Sequence, residues 1–308
     1  MSLLEKALES GKFGVTAEMA PPKGYDFTKQ LEDAQLLSGK VHGVNVTDMQ
    51  SASLKASSLG LCIKLKQAGV EPILQVTGRD RSRMAIMADM LSAAAFGIDT
   101  MLALTGDHPV VGDCKQSKPV YDLDSVGILN MLSTMEVTDR DCGGNELDGG
   151  APRFYKGAAV TPVYEPIQLQ INKLRQKVDA GAKYIQTQGI FDMESLKRFL
   201  DLVDKANIKC HIMAGIIPLK AAGMAKYMNA NVPGIAVPQD MIDRLEAAAA
   251  EGKEKGVKGL PMQLGIEMAA EFIAKIHDEK ICDGVHIMAI GAEKNVPTIL
   301  EKAGITIE

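Results

Sequence analysis

The sequence predicts an α/β fold, a (β/α)8 TIM barrel with extended loops after strands 4 and 7. Eight short apolar runs alternate with longer segments of helical period, which is the pattern of βαβ units on a parallel sheet. The 308 residues match the length of one such barrel. No GxGxxG motif follows the first run, which argues against an open dinucleotide-binding sheet. We therefore expect one domain over residues 1–308.

The eight strand runs are short, apolar and bounded by turn residues. Amphipathic segments lie between them, and three of these segments end at Gly69, Gly97 and Gly181. Because glycine adopts the left-handed C-cap conformation at the least steric cost, these positions predict helix ends. The predicted strands span residues 13–19, 43–48, 72–77, 100–106, 157–162, 184–190, 210–216 and 284–291.

Two predicted connections are much longer than the usual loops of this fold, and long loops in a compact domain are often functional. Residues 107–156 follow strand 4 and contain one clear helical segment, DSVGILNMLSTM. The polar stretch after it, residues 136–152, is expected to be flexible or to contact a partner. Residues 221–280 follow strand 7 and are expected to hold two or three helices.

Composition excludes several classes of protein. The net charge is −5 with both signs mixed along the chain, and aromatic residues make up only 4% without any Trp, so we expect no nucleic acid partner. The five cysteines lie far apart without a CxxC pair, which predicts neither a disulfide framework nor a metal site and fits a reducing cytoplasm. No apolar run approaches the roughly 20 residues of a membrane span, so we expect no membrane association.

In a barrel of this type the chemistry lies at the carboxyl ends of the strands. Glu18 ends an apolar strand before two prolines, so its carboxyl should be partly desolvated, as a general acid requires. The alternative for Glu18 is a salt bridge at the strand end. The full set of strand-end candidates is Glu18, Thr47, Asp48, Gln75, Thr77, Asp107, Thr161, Gln186, Gln188 and His286.

Other candidates carry similar alternatives. Asp107 follows Gly106 in a turn that would direct its carboxylate into the barrel mouth, or it forms an Asx-turn or helix cap. Gln188 can donate and accept at once, which suits a ring with mixed edges, or it makes a structural hydrogen bond. Lys177 lies in a predicted helix and is expected to be a solvated surface cation. The arginine-rich segment 79–83 could bind phosphate, although a charged helix start is favoured.

Five motifs together resemble the methylenetetrahydrofolate reductase family: AEMAPPKG, NVTD, LTGDHP, KVDAGAKYIQTQGIFDMESLKRF and GIIP. The resemblance runs over nearly the whole chain. It implies a flavin-dependent barrel, with FMN or FAD, that reduces 5,10-methylenetetrahydrofolate to 5-methyltetrahydrofolate. Residues 79–83 and the segment KPVYDLDS resemble a branch of anaerobic one-carbon metabolism in which the chain works with a separate iron–sulfur, zinc-binding subunit.

The resemblance also implies roles for single residues. Glu18 matches the acid that protonates the folate N10 as the five-membered ring opens to an iminium. Asp107 matches a carboxylate that stabilises this cation near the flavin and the pterin, and Gln188 matches the residue that orients the folate. The positions that match flavin contacts are Thr47, Gln75, Asp107, Tyr121, Ala159 and Lys177.

The chain departs from the family pattern at several positions. Gln75 replaces a flavin-contacting His, and Thr105 replaces an Arg before the GD pair, so Arg79 or Arg81 could supply the cation at the flavin phosphate. Ala222 stands where the family has a stacking Phe, and Gly291 stands where it has an Arg that contacts the folate. Lys294 could substitute for that Arg. These departures leave the electron source open between NAD(P)H and the iron–sulfur/zinc partner subunit. We also expect an oligomer.

Overall fold

The computed structural model describes residues 1–307 and consists of eight parallel strands that close into a barrel. Each strand pairs with the next in sequence, and the eighth returns to the first. The predicted (β/α)8 TIM barrel is confirmed. The strands are β1 (Gly14–Met19), β2 (Gly43–Val46), β3 (Pro72–Thr77), β4 (Thr100–Leu104), β5 (Tyr155–Val160), β6 (Tyr184–Gly189), β7 (His211–Ile216) and β8 (Gly284–Ile287).

Helices surround the barrel and cover the outer faces of the strands. Residues 221–280 contain three of them, which agrees with the expected two or three. Short 3₁₀ turns at Gln50–Ala52, Pro109–Val111 and Glu293–Asn295 complete the regular structure. The helices are α1 (Leu3–Glu9), α2 (Thr28–Leu37), α3 (Ser58–Gln67), α4 (Arg83–Ala95), α5 (Ser125–Thr138), α6 (Ile167–Asp179), α7 (Met193–Lys205), α8 (Ala222–Asn231), α9 (Gln239–Lys255), α10 (Leu260–Asp278) and α11 (Val296–Lys302).

Glycine marks several element ends as predicted. Gly69, Gly97 and Gly181 follow α3, α4 and α6 with φ of +78°, +74° and +108°, the region that glycine reaches without a Cβ penalty. Five strands, β2, β4, β5, β6 and β8, end one to four residues earlier than predicted. After two of them, a residue with positive φ lies within the predicted range. Gly106 after β4 and Ile290 after β8 have φ of +88° and +50°, which a strand cannot accommodate.

The polar stretch after α5 carries hydrogen bonds of its own. Helix α5 runs on to Thr138, and an isolated antiparallel bridge then joins Arg140 to Glu146. The Asp141 carboxylate accepts the N–H groups of Gly143 and Asn145 at 2.8 and 2.9 Å. Residues 139–150 therefore fold back on themselves.

The barrel is closed at its amino-terminal end by α1. Leu4 and Leu8 pack there with Tyr155, Tyr184 and Met213 in one buried cluster. Each buried leucine of this kind stabilises the fold by about 1.5–3 kcal/mol. The rings of Tyr155 and Tyr184 stack with centroids 5.2 Å apart. These side chains fill the barrel interior at this end, although an open groove of about 1,140 Å³ lies beside α1 at Glu9, His211 and Asp283. Access to the interior is therefore from the carboxyl ends of the strands.

Candidate active site

An open cavity of about 410 Å³ lies at the carboxyl ends of the strands. This volume is within the range of about 300–1,000 Å³ that is usual for small-molecule sites. The walls combine apolar side chains from β4 and β5 with polar ones from the other strand ends. Six residues of the predicted site line it: Glu18, Gln75, Asp107, Ala159, Lys177 and Gln188.

Glu18 lies at the end of β1 and is only 9% exposed. Gln50 donates its side-chain amide to Glu18 Oε1 at 3.4 Å, and His286 Nε2 lies 3.6 Å from Oε2. Among residues 1–307, no Lys or Arg pairs with the Glu18 carboxyl. The contact with His286 is therefore all that remains of the predicted alternative, a salt bridge. A buried carboxyl with few partners can exchange a proton with a ligand in the cavity.

A buried polar network lies beneath Glu18, inside the barrel. Asn45 and Gln186 exchange two amide hydrogen bonds of 2.8 and 3.1 Å, and Gln186 Nε2 also donates to Thr16 Oγ1 at 3.1 Å. Thr16 Oγ1 lies 2.9 Å from His286 Nδ1. The Thr16 hydroxyl has one donor and two acceptor sites, so it can accept from Gln186 and still either donate to Nδ1 or accept from it.

The sequence identified only half of this network. Gln186 and His286 are strand-end candidates, whereas Thr16 and Asn45 lie further back in their strands and are not selected by that criterion. Both lie two positions before a strand-end candidate, Glu18 and Thr47 respectively, and so share its face of the strand. Polar residues at that spacing in otherwise apolar strands were the signal that could have found them.

Asp48, the last residue of the NVTD motif, is fully occupied by structural partners. Its Oδ2 accepts the backbone N–H and the hydroxyl of Thr77, both at 2.9 Å. Arg81 binds both carboxylate oxygens, at 2.6 and 3.1 Å, and also lies 3.0 Å from Asp89. The side chain of Asp48 therefore connects β2 to β3 and to the start of α4.

Arg79 is likewise engaged, although it lines the cavity. Its guanidinium forms a bidentate pair with Asp80 and donates to the carbonyl oxygens of Met49 and Asp107 at 3.1 and 3.2 Å. Both arginines that could replace the missing phosphate-binding cation are thus already neutralised by carboxylates. Ser82 caps α4 through the N–H of Ala85, so segment 79–83 has the favoured role of a charged helix start.

Asp107 follows the left-handed Gly106 and exposes its side chain at the rim of the cavity. It forms no salt bridge within residues 1–307. The hydroxyl of Tyr121 donates to the Gly106 carbonyl at 3.1 Å, and its ring stacks on His108 at 6.4 Å. Tyr121 thus supports this turn from outside the cavity lining.

Lys177 is not the surface cation that its sequence context suggested. Its ammonium donates to the Ala159 carbonyl at 2.5 Å, at the wall of the cavity. Burial, together with the nearby Lys173, lowers the pKa of Lys177 to about 8. Lys177 thus places an ammonium group at the end of β5, and this group loses its proton more readily than an ordinary lysine does.

Thr47 directly follows β2, and Gln75 lies within β3. Both are buried, and Gln75 lines the cavity, whereas Thr47 lies just outside the lining. The Thr47 hydroxyl oxygen has no hydrogen-bond partner in the described part of the chain. A buried hydroxyl without a partner is costly, which marks this corner as a place where a ligand group would be stabilising.

Residues 1–307 contain no group of three or more His, Cys, Asp or Glu side chains that could hold a metal ion. All five cysteines are free. Within the same residues, no helix combines the length and the apolar character needed to cross a membrane.

Comparisons with known proteins agree with this architecture. A solved structure from Clostridium thermocellum, an uncharacterized protein that binds two copies of 5-methyl-5,6,7,8-tetrahydrofolic acid, superposes with a TM-score of 0.66 at 15% identity. The match covers 99% of this chain and all of the other. An EDTA monooxygenase from Chelativorans sp. BNC1 has a TM-score of 0.56 at 11% identity, covering 96% and 95% of the two chains. At these identities the likeness concerns the fold.

Sequence comparison identifies the family. The probable methylenetetrahydrofolate reductase (NADPH) of Caenorhabditis elegans is 24% identical over 83% of this chain, which spans only 34% of that relative's length. The 5,10-methylenetetrahydrofolate reductase of Salmonella typhimurium is 28% identical over 75% of this chain and 73% of its own. The family model for methylenetetrahydrofolate reductase matches residues 3–304. The chain therefore belongs to the methylenetetrahydrofolate reductase family.

Proposed function

We propose that this chain is a flavin-dependent oxidoreductase that reduces 5,10-methylenetetrahydrofolate to 5-methyltetrahydrofolate. The observation that carries the proposal is that Glu18, Asp107 and Gln188, from three separate strand ends, line one cavity. An acid, an anion and an amide in one site suit a substrate that must be protonated, stabilised as a cation and oriented. Family membership and the methyl-folate ligand of the Clostridium thermocellum protein support the same substrate class.

The residues around the cavity fit a flavin, FMN or FAD. Apolar side chains such as Leu102 and Val160 offer a surface for a ring system, and the amide of Gln75, which also lines the cavity, offers hydrogen bonds. The bound flavin would supply hydride transfer, which no protein side chain performs. The residues that we propose to hold it are Thr47, Gln75, Asp107, Tyr121, Ala159 and Lys177.

In this proposal Glu18 delivers a proton to the folate N10. Its carboxyl lies between Gln50, 3.4 Å from Oε1, and His286, 3.6 Å from Oε2, and both side chains restrict its orientation. Asp107 carries a negative charge without a salt bridge, and this charge would stabilise the iminium that forms as the ring opens. Gln188 would hold the pterin ring through its amide.

Flavin loading and activity of Glu18→Gln test the proposal together. The chain is reconstituted with FMN and FAD separately, and flavin absorbance is measured after removal of the excess. We expect Glu18→Gln to retain the flavin and to lose at least about 100-fold in methyl-folate formation, the usual contribution of a general acid. Glu254→Gln, an exposed carboxylate on α9, is the control and should behave as the wild type. Absent flavin binding in the wild type, or full activity in Glu18→Gln, would contradict the proposal.

A second candidate function is that of a folate- or flavin-binding subunit that transfers methyl groups or electrons only within a larger complex. The observation that favours it is an apolar rim formed by Leu54, Val110 and Val111, whose side chains are 55%, 60% and 65% exposed. Val110 and Val111 belong to the turn Pro109–Val111, which contacts the turn Gln50–Ala52 just before Leu54, and Gln50 lines the cavity. A partner such as the iron–sulfur/zinc subunit could cover this rim and supply electrons in place of NAD(P)H.

Native mass spectrometry of the unheated complex from its source would distinguish the two candidates. A partner chain with its own metal centre, together with an isolated chain that is inactive with NADH, is the result expected for the subunit. Reduction of the folate by the isolated chain with NADH would exclude an obligate subunit. The same measurement gives the oligomeric state and the identity of the flavin.

A further inference from the structure

Strand β6 contains a bulge directly before the cavity. Gln186 pairs with Met213 of β7, but the next pair is Gly189 with Gly215, so three steps along β6 are matched by two along β7. One extra residue is therefore inserted in β6 between Gln186 and Gly189. Bulges of this kind redirect a side chain and are frequent beside active sites.

The Thr187 hydroxyl holds this bulge with two hydrogen bonds. It accepts the backbone N–H of Gly215 at 2.8 Å and donates to the carbonyl of Gln188 at 2.8 Å. The first bond gives the Gly215 amide of β7 an acceptor at the point where the pairing register shifts. The second bond fixes the peptide that follows Gln188. Thr187 is only 3% exposed, so neither bond is exchanged for water without cost.

Gly215 allows this arrangement on the β7 side. A Cβ at this position would lie 2.3 Å from the Thr187 carbonyl oxygen and 2.9 Å from the carbonyl carbon of Gln188. No side chain fits at either distance, so the bulged backbone can approach β7 only because residue 215 is glycine. The bulge is therefore specified from both strands.

The bulge presents Gln188 in one orientation. The N–H of Gly189 donates to Gln188 Oε1 at 2.9 Å, so the amide oxygen is held by the backbone while the amide nitrogen is left to donate. We propose that Thr187 is a positioning residue, whose hydroxyl fixes the bulge so that Gln188 offers a hydrogen-bond donor to an acceptor on the folate ring. This inference rests on the proposed function for its ligand.

A double-mutant cycle tests the inference with the full chain and 5-methyltetrahydrofolate as the probe, its dissociation constant measured by calorimetry. We expect Thr187→Val, which is isosteric but lacks the hydroxyl, to weaken binding about ten-fold. In a Gln188→Ala background the same change should have no further effect, since the residue it positions is gone. Thr187→Ser keeps the hydroxyl and should bind as the wild type does.

Hydrogen exchange of the Gly215 amide provides a readout that does not depend on any ligand. It should accelerate in Thr187→Val and not in Thr187→Ser. Unchanged exchange in Thr187→Val, or equal weakening of binding by Thr187→Val in both backgrounds, would overturn the positioning role. A ten-fold loss in Thr187→Ser would overturn it even if Thr187→Val failed to fold. Absence of probe binding by the wild type would instead contradict the proposed function, while exchange would still decide whether Thr187 holds the bulge.

Discussion

Two aspartates that follow β2 and β4 have opposite roles. Asp48 is buried and accepts hydrogen bonds from Thr77 and from both ends of the Arg81 guanidinium. Asp107 is exposed at the rim and forms no salt bridge in the described chain. A carboxylate whose lone pairs are all engaged can stabilise the fold but cannot respond to a ligand. Asp107 is therefore the one available for chemistry.

Substitution of each aspartate by asparagine should separate these roles. Asp48→Asn leaves the half-buried Arg81 with only Asp89, and loss of a buried ion pair costs about 3 kcal/mol. We expect that decrease in the free energy of unfolding, measured by urea denaturation. Asp107→Asn should leave the unfolding free energy unchanged and lower methyl-folate formation. Equal stability of the two variants would mean that the Asp48 pair is dispensable.

At the residue scale, the sequence motifs predicted the residues that line the cavity better than the residues that hold them in place. Glu18, Asp107 and Gln188 were found as strand ends and they line one cavity, because strand ends of a barrel meet at one face. The partners that hold them could not be found, since Arg81 meets Asp48 and Thr187 meets Gly215 across strands. Such pairs depend on register, which the sequence of one strand does not specify.

At the scale of elements, close backbone approach fixes how α10 docks onto the barrel. Gly265 lies against the segment after β7, where an added Cβ would be 1.7 Å from the Leu219 carbonyl oxygen. Gly223 in α8 has no atom within 4 Å of the same position. Glycine is thus required in one helix of the 221–280 connection and dispensable in another.

Alanine at these two positions should shift stability in opposite directions. Gly265→Ala forces α10 away from Leu219, and overpacking of this kind costs about 1–3 kcal/mol. Gly223→Ala reduces the entropy lost on folding and should be neutral or stabilising by up to about 1 kcal/mol. Thermal unfolding of both variants checks the prediction. A Gly265→Ala variant as stable as the wild type would show that α10 can be displaced without cost.

The order of elements was predictable, and their exact ends were not. Alternating periods identified all eight strands, and the glycines after α3, α4 and α6 marked helix ends correctly. β8 ends at Ile287 instead of residue 291, and within this interval Ile290 adopts a positive φ, which a β-branched residue rarely does and which its identity does not predict. Ile290 is 43% exposed, so burial of its side chain does not account for this conformation.

For the whole molecule, the barrel separates a reactive end from a stabilising end. The cavity occupies the carboxyl ends of the strands, and α1 covers the amino ends. At the amino-terminal end, His211 at the start of β7 lies between α1 and the residue before β8. Its Nε2 is 3.6 Å from Glu9 of α1, and its Nδ1 is 3.6 Å from Asp283. The hydroxyl of Tyr155 reaches the same Glu9 oxygen at 3.3 Å.

This arrangement predicts a pH-dependent contribution to stability. A hydrogen bond to Asp283, together with the charges of Asp283 and Glu9, raises the pKa of His211 above 6.5. Below pH 6.5 the imidazole is protonated in the folded and the unfolded chain, and its attraction to both carboxylates contributes fully. As the pH rises through the folded pKa the charge is lost, and so is this contribution. The closed end should therefore be tighter at mildly acidic pH.

The difference in unfolding free energy between the wild type and His211→Gln measures this contribution. It should be largest near pH 6 and shrink towards pH 9, because the folded chain releases its extra proton in that interval. Urea denaturation at several pH values gives the difference, in which the other four histidines cancel. His277→Gln, at the same end of the barrel but exposed, serves as the control. A difference that stays constant or grows with pH would show that the His211 charge does not hold α1 against the barrel.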